Sequence, residues 1–292
     1  MATLAGTSKA TVSFVMNGRD NVAAATRDRV LAAATELGWT PSHQARALST
    51  SRAYAIGLVF ARPSRTLGSD AFFAPFIAGV ESALADADQS LLLRFVADPA
   101  SEQEAYRKLR TQGRVDGVVL TDVRHHDTRL DFLADLALPA VTLNRTDDAS
   151  PFPAVTLDDE RGTRDAVDHL VGLGHHRIAY VGGPEIYLHS TRRRLAWRSA
   201  LEAHGLVPRV VVEADFSASS GARAMREVLA LPRHQQPTAI LYANDAMAIA
   251  GMAAARQAGV RVSEDLSVGG FDGAELSSHV NPPPPTIPSA SD

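Results

Sequence analysis

The chain has 292 residues, no cysteine, 45% hydrophobic and 21% charged residues, and a formal net charge of −4. That length allows two or three domains with real cores, and the composition is that of an ordinary globular protein. It excludes a disulfide framework and a thiolate metal site. The N-terminus also lacks the charged-then-apolar pattern of an export signal, and the apolar runs are strand-sized, so no membrane span and a cytoplasmic location are expected.

In chain order, the first predicted element is a helix-turn-helix. Gly6 supplies the tight turn, and Ser8 is an N-cap whose hydroxyl accepts from the free N–H groups of the next turn. Val12, Val15 and Met16 then fall on one apolar stripe. The other face carries Lys9, Ala10, Ser13, Phe14 and Asn17. Lys and Asn side chains read base edges, Ser holds a phosphate, and Ala or Phe touches a thymine methyl. Asn17-Gly18 ends this helix. The next helix starts near Ala25 or Thr26, turns Val30, Leu31, Ala34 and Leu37 inward, and stops at Gly38. Any small helical bundle with a polar face shares this pattern, but charge favours DNA. Residues 1–54 carry six basic and three acidic side chains, net +3, whereas the remainder is net −7. A basic head on an acidic body suits phosphate contact by the head alone.

Beyond a Pro41-led linker, strands and helices alternate. Strands are predicted at Ala55–Phe60, Leu91–Val96, Val115–Thr121 and Ala140–Asn144, with helices at Phe76–Ala87, Ser101–Gly113 and Leu130–Leu136 between them. After a Pro- and Asp-rich break at Asp147–Pro153 the pattern restarts. Strands are predicted at Ala154–Leu157, Ile178–Val181, Val210–Glu213, Ala239–Tyr242 and Ser267–Phe271, with helices near 159–173, 190–204, 217–230 and 244–258. Short apolar strands alternating with amphipathic helices imply parallel sheets of right-handed βαβ units. Two such runs imply two similar lobes, with a ligand between them at the carboxyl ends of the strands.

Fragments along nearly the whole chain resemble the lactose-repressor (LacI/GalR) family of transcription regulators. In the head they are Ala5-Gly6-Thr7-Ser8-Lys9-Ala10-Thr11-Val12-Ser13, Asn17-Gly18, Thr26-Arg27-Asp28-Arg29-Val30, Leu37-Gly38-Trp39-Thr40-Pro41 and Ala45-Arg46-Ala47-Leu48. In the body they are Asp159-Glu160-Arg161-Gly162-Thr163, His169-Leu170, Leu173 to Ala179, Gly182-Gly183-Pro184, Arg193, Leu201, Gly205, Ala243 to Ala248 and Asp265 to Asp272.

The resemblance implies an all-α helix-turn-helix head on an α/β periplasmic-binding-protein-like body of two parallel-sheet lobes. The implied parts are a head at 1–40, a hinge helix and linker at 41–53, lobes at 54–152 and 153–280, and an atypical Pro-rich tail at 281–292. Lys9 and Ala10 would determine operator sequence, and Ser8, Thr11, Ser13 and Asn17 would contact or orient phosphates. Residues 42–49 would order as a hinge helix on the operator, with Leu48 as a minor-groove wedge and Ala45 beside it. Paired hinge helices imply a homodimer on a pseudo-palindromic operator. Arg193, Phe216, Asn244 and Asp272 match positions lining the effector cleft in relatives, with Asn144, Arg145, Phe72 and Phe73 contributing from the first lobe. Arg and Asp would hold hydroxyls or ring heteroatoms, and Phe216 would stack on a sugar face or purine ring. The implied partners are operator DNA, a sugar or nucleobase effector and a second copy of the chain; closure of the lobes on the effector would control operator affinity, most simply as a repressor.

The sequence departs from the family pattern at three points. Phe14 stands where relatives usually carry Arg, only Met1-Ala2-Thr3-Leu4 precede the turn, and after Pro282 the chain runs into a Pro- and Ser-rich tail that cannot form the helix of relatives. A shortened, functionally impaired remnant of a regulator is therefore the competing expectation. A solute-binding protein would need an export signal in place of the head. An enzyme is disfavoured, because Gly182-Gly183 and Gly269-Gly270 are not the spaced glycines of a dinucleotide loop. His125-His126 and His175-His176 lack metal-helix spacing, no serine sits in a nucleophile elbow, and nothing calls for a cofactor.

Overall fold

The computed structural model describes residues 1–16, 21–39, 50, 52–62, 70–144 and 150–288. The head contains α1 (Lys9–Met16) and α2 (Ala24–Glu36). Gly6 adopts φ 59° at the turn, and Ser8 Oγ caps α1 by accepting from Thr11 N at 3.1 Å. Val15, Val30, Ala33 and Ala5 form the small core, flanked by Met1, Val12, Met16 and Val22. Arg29 Nε donates to the Ala5 carbonyl at 3.2 Å and ties α2 to the first turn. The inner face of α2 differs from expectation. Ala33 joins Val30 and Ala34, while Leu31 and Leu37 are exposed. With 100° between successive residues, a face centred on 30, 33 and 34 turns Leu31 away from the core, while Leu37 lies past Glu36, the last helical residue, at the C-cap.

The first lobe contains β1 (Ala55–Phe60), α3 (Phe73–Asp86), β2 (Ser90–Phe95), α4 (Pro99–Thr111), β3 (Gly117–Leu120), α5 (Arg129–Asp135), β4 (Ala140–Leu143) and β5 (Ala154–Val155). Its sheet is parallel in the order β2-β1-β3-β4-β5. The second lobe contains α6 (Asp159–Gly172), β6 (Ile178–Gly182), α7 (Leu188–Ala203), β7 (Val211–Glu213), α8 (Ala218–Leu229), β8 (Ala239–Tyr242), α9 (Asp245–Gln257), β9 (Ser267–Asp272), a 3₁₀ turn (Glu275–His279) and β10 (Thr286–Pro288). Its sheet is also parallel, in the order β10-β9-β8-β6-β7. Apolar strands covered by helices on both faces account for the two main cores. One is centred on Tyr106, Leu109 and Leu133, the other on Tyr180, Trp197 and Tyr242.

Two boundaries are corrected. The strand expected to open the second lobe instead completes the first, where Ala154 pairs with Thr142 and Val155 with Leu143. A two-residue strand with both side chains exposed has no core face to choose its sheet, so the neighbouring edge of β4 captures it through Thr142 N→Pro153 O and Asn144 N→Val155 O. The expected atypical tail from 281 also carries structure. Thr286–Pro288 adds an edge strand to β9, and Thr286 Oγ1 donates to Asp245 Oδ1 at 2.6 Å. An outer edge tolerates Pro288 because its missing N–H faces no neighbouring strand.

His175 links three segments. Its Nδ1 lies 3.0 Å from Thr238 Oγ1 and its Nε2 2.9 Å from Ser267 Oγ.

Candidate DNA face and effector cleft

On the head, Ser8, Lys9, Ala10 and Ser13 are exposed, and Thr11 and Phe14 are half-buried. Val12, Val15 and Met16 face the core, so α1 is held from behind while the expected reading residues share the outer face. Ser8 Oγ and Thr11 Oγ1 lie 2.9 Å apart. The cap therefore orients both hydroxyls at the helix N-terminus, where backbone N–H groups favour an anion. Asn17, Ala45 and Leu48 lie outside the described residues.

In the body, Phe72, Asn144, Arg193, Phe216, Asn244 and Asp272 all line one cleft between the lobes. Arg145 lies outside the described residues. The cleft sits at the carboxyl ends of the parallel strands, because each lining loop leaves a strand there. Asp122 follows β3, Asn144 follows β4, Phe216 follows β7 and Asp272 ends β9. All four adopt left-handed backbone, with φ of 52°, 61°, 66° and 104°. Such conformations cost energy in non-glycine residues and persist where surrounding contacts over-determine them.

Those contacts are explicit. Asn244 caps α9, its Oδ1 accepting from Met247 N at 2.9 Å while its Nδ2 donates to the Phe216 carbonyl at 3.0 Å. Phe216 also packs directly on Gly183, where an added Cβ would lie 1.9 Å from the ring. Asn144 Oδ1 accepts from Leu157 N at 2.9 Å, and its Nδ2 donates to Asp159 Oδ2 at 3.3 Å. Arg193 donates to Asp159 Oδ1 at 3.0 Å and to the Ala243 carbonyl at 2.9 Å, with its guanidinium 3.7 Å from the Phe271 ring centroid. Arg193 Nε is buried without a hydrogen-bond partner among the described residues. In the first lobe, Arg129 holds the Asp122 loop by donating to the carbonyls of Thr121 and Asp122 at 3.3 and 2.8 Å, and it pairs with Glu102 at 2.7 Å and Asp127 at 2.6 Å.

The cleft also contains residues the sequence reading did not single out: Arg62, Asp70, Thr121, Asp122 and His189. Arg62 and Asp122 follow β1 and β3, so the rule that ligands meet the carboxyl ends of strands was the available signal. His189 lies one helical turn before Arg193. Its ring stacks on Tyr187 and on Phe216, both at 5.6 Å between centroids. Burial pushes its pKa down to about 4, so the imidazole is neutral at physiological pH. Asp272 and Asp70 go the other way. Burial raises both, Asp272 well above the usual carboxylate value, and the nearby guanidinium groups of Arg193 and Arg62 offset it only in part. A wall of neutral rings beside carboxylates that resist ionisation suits a ligand bearing hydroxyl donors.

Among the described residues, no group of His, Asp and Glu could hold a metal ion, and no helix is long and apolar enough to cross a membrane.

Residues 1–42 match the family described as bacterial regulatory proteins, lacI family, and residues 167–290 match the periplasmic binding protein-like domain. The chain is 35% identical over 271 residues to the HTH-type transcriptional regulator AglR of Rhizobium meliloti, covering 92% of this chain and 75% of that one. It is 33% identical to the HTH-type transcriptional regulator CelR of Thermobifida fusca, over 97% of this chain and 84% of that one. Among solved structures, a lac repressor dimer bound to operator and the anti-inducer ONPF matches with a TM-score of 0.83 at 32% identity, over 98% of this chain and 85% of that one. A complex of the regulator CelR with cellobiose matches with a TM-score of 0.73 at 32% identity and the same coverage. A helix-turn-helix head and two parallel-sheet lobes are thus shared with regulators of transcription over most of their length, and the chain belongs to the lacI family of bacterial regulatory proteins.

Proposed function

We propose that this regulator is a homodimeric repressor whose operator affinity is set by a sugar bound between the lobes. The observation that carries the effector class is the chemistry of the cleft. Asp70, Asp122 and Asp272 supply hydroxyl acceptors and Arg193 a donor, beside the ring pair Phe216 and His189. Sugars combine hydroxyl edges with an apolar ring face and use both kinds of partner. The cellobiose complex of a relative at 32% identity supports the same class. Similarity at 32% identity to the PurR repressor of Aliivibrio fischeri keeps a nucleobase as the second reading, with Phe216 stacking on a planar ring.

On the operator, Lys9 and Ala10 read base edges, Ser8, Thr11 and Ser13 position the helix on phosphates, and Phe14 replaces a guanidinium contact with an apolar one. The dimer reading is supported by the outer edge of the first lobe. Helix α3 is rich in apolar residues yet buries only Phe73, and Leu93 and Phe95 of the edge strand β2 are exposed beside it. A second copy of the chain is the occupant that a family of dimers calls for.

Fluorescence anisotropy of the full chain on pseudo-palindromic DNA tests the reading, with a scrambled duplex as control. Binding to one site, weakened by salt and shifted by cellobiose or another glycan, is expected. Equal binding to both duplexes rules out the operator reading. A shift with adenine or guanine but with no sugar rules out the sugar.

A further inference from the structure

Arg62 leaves the end of β1 in the first lobe, and its side chain crosses the cleft at only 10% exposure. On its own lobe the guanidinium donates to Asp122 at 2.5 Å and lies 3.7 Å from Asp70. Its central carbon is 5.6 Å from the ring centroid of Phe73, also in the first lobe. On the far lobe it faces Tyr187 at 4.9 Å and Phe216 at 5.1 Å. Two carboxylates and three aromatic faces thus surround one cation. Such a cage favours a delocalised, weakly hydrated guanidinium over an ammonium. About 50 Å³ of free space remains in the cleft, room for a water or two and too little for a sugar ring.

We propose that Arg62 is a built-in occupant of the cleft: its guanidinium acts as an internal ligand that latches the two lobes together until an effector displaces it. The carboxylates anchor the latch on the first lobe, and the Tyr187 and Phe216 rings receive it on the second. An incoming ligand must meet Asp122 and Asp70 with donors of its own and cover the face of Phe216 that Arg62 now shares. The latch does not depend on the effector being a sugar or on which operator is read.

The backbone supplies a reporter. Two amide groups donate across the lobes, His125 N to the Ile186 carbonyl at 3.0 Å and Leu188 N to the Val123 carbonyl at 2.9 Å. Their hydrogen exchange follows lobe separation, whereas exchange in β6 and β8 follows global unfolding. In the full chain, R62A is expected to speed exchange of both amides about tenfold while β6 and β8 stay protected. Millimolar methylguanidinium should restore slow exchange in R62A, and potassium chloride at equal ionic strength should not. R62Q, which keeps the first three carbons and a polar end but loses the charge and the reach, should match R62A, and R62K should fall between. If R62A loses its fold, seen as fast exchange in β3, R62Q decides the matter by the same two amides. Unchanged exchange in R62A or R62Q, or a rise that methylguanidinium leaves untouched, overturns the latch.

Discussion

Asn244 Nδ2 donates to the Phe216 carbonyl at 3.0 Å while its Oδ1 accepts from Met247 N at 2.9 Å. One buried side chain thus starts α9 and holds the ring that walls the cleft. Its amide is committed to the scaffold, so it acts on a ligand by fixing Phe216. Asn244→Ala leaves a carbonyl and a helix N–H without partners and should cost about 2 kcal/mol of stability. Asn244→Asp keeps the cap but sets a carboxylate against the Phe216 carbonyl, and should weaken binding of whichever ligand shifts operator affinity more than it lowers Tm. Calorimetric titration and thermal melts of both variants separate the two effects.

Gly183 tests the same ring from the other side. An added Cβ would lie 1.9 Å from the Phe216 ring, so Gly183→Ala must push the ring from its place or strain the turn, at a cost of about 1–3 kcal/mol. The expected signature is a loss of ligand-induced change in operator affinity, with operator binding in the absence of ligand kept. Full ligand response in Gly183→Ala would mean that the position of Phe216 is immaterial.

Asp159 is the acceptor that neutralises Arg193, at 3.0 Å with both side chains buried. Removing one partner of a buried pair leaves an uncompensated charge, and Asp159→Ala should destabilise the chain by about 3–5 kcal/mol. Asp159→Asn retains an acceptor oxygen for the guanidinium and should cost less. Denaturant melts at matched slope provide the comparison.

The two kinds of shifted pKa give opposite pH profiles. Asp272 titrates above its ordinary value of 3.8 in the folded chain. Its contribution to stability is therefore greatest below 3.8 and is lost as pH rises through the raised value. Asp272→Asn, with no carboxylate to desolvate, should raise Tm at neutral pH, and its advantage should shrink as pH falls toward 4.

His189 runs the other way. Its folded value of about 4 lies below the ordinary 6.5, so its contribution is complete above 6.5 and is lost as pH falls toward 4. His189→Gln should lose less stability than the parent chain across that window. Parallel melting curves for the two across that range would show that the imidazole stays solvated.

On the operator, Lys9→Ala should cost about 1–3 kcal/mol against the preferred site and relax discrimination at one base pair. Ser8→Ala removes the cap donated to by Thr11 N and should cost about 1 kcal/mol of head stability, lowering affinity for all duplexes alike. Anisotropy against single-base operator variants separates a specificity change from a uniform loss.

Much of this protein was legible in the order of its residues. The turn at Gly6 and the cap at Ser8 are local chemistry, as is the alternation of apolar strands with amphipathic helices, and short-range rules read them correctly. The cleft residues Arg193, Phe216, Asn244 and Asp272 were named by resemblance, and the parallel topology brought them together. What depended on the tertiary structure was pairing between segments distant in the chain. The strand Ala154–Val155 joined the first sheet because the edge of β4 was the available partner. Thr286–Pro288 became a strand because β9 offered an edge and Asp245 an acceptor. Leu31 faced outward because the rotation of α2 is set by packing on α1 and the first turn, and Leu37 is exposed at the C-cap, past the last helical residue. The place of Arg62 after a strand was readable, but its surroundings were not, since its partners Asp122, Tyr187 and Phe216 lie 60 or more positions away. Periodicity records which face of an element is apolar, and only the folded chain decides which distant charge and ring meet there.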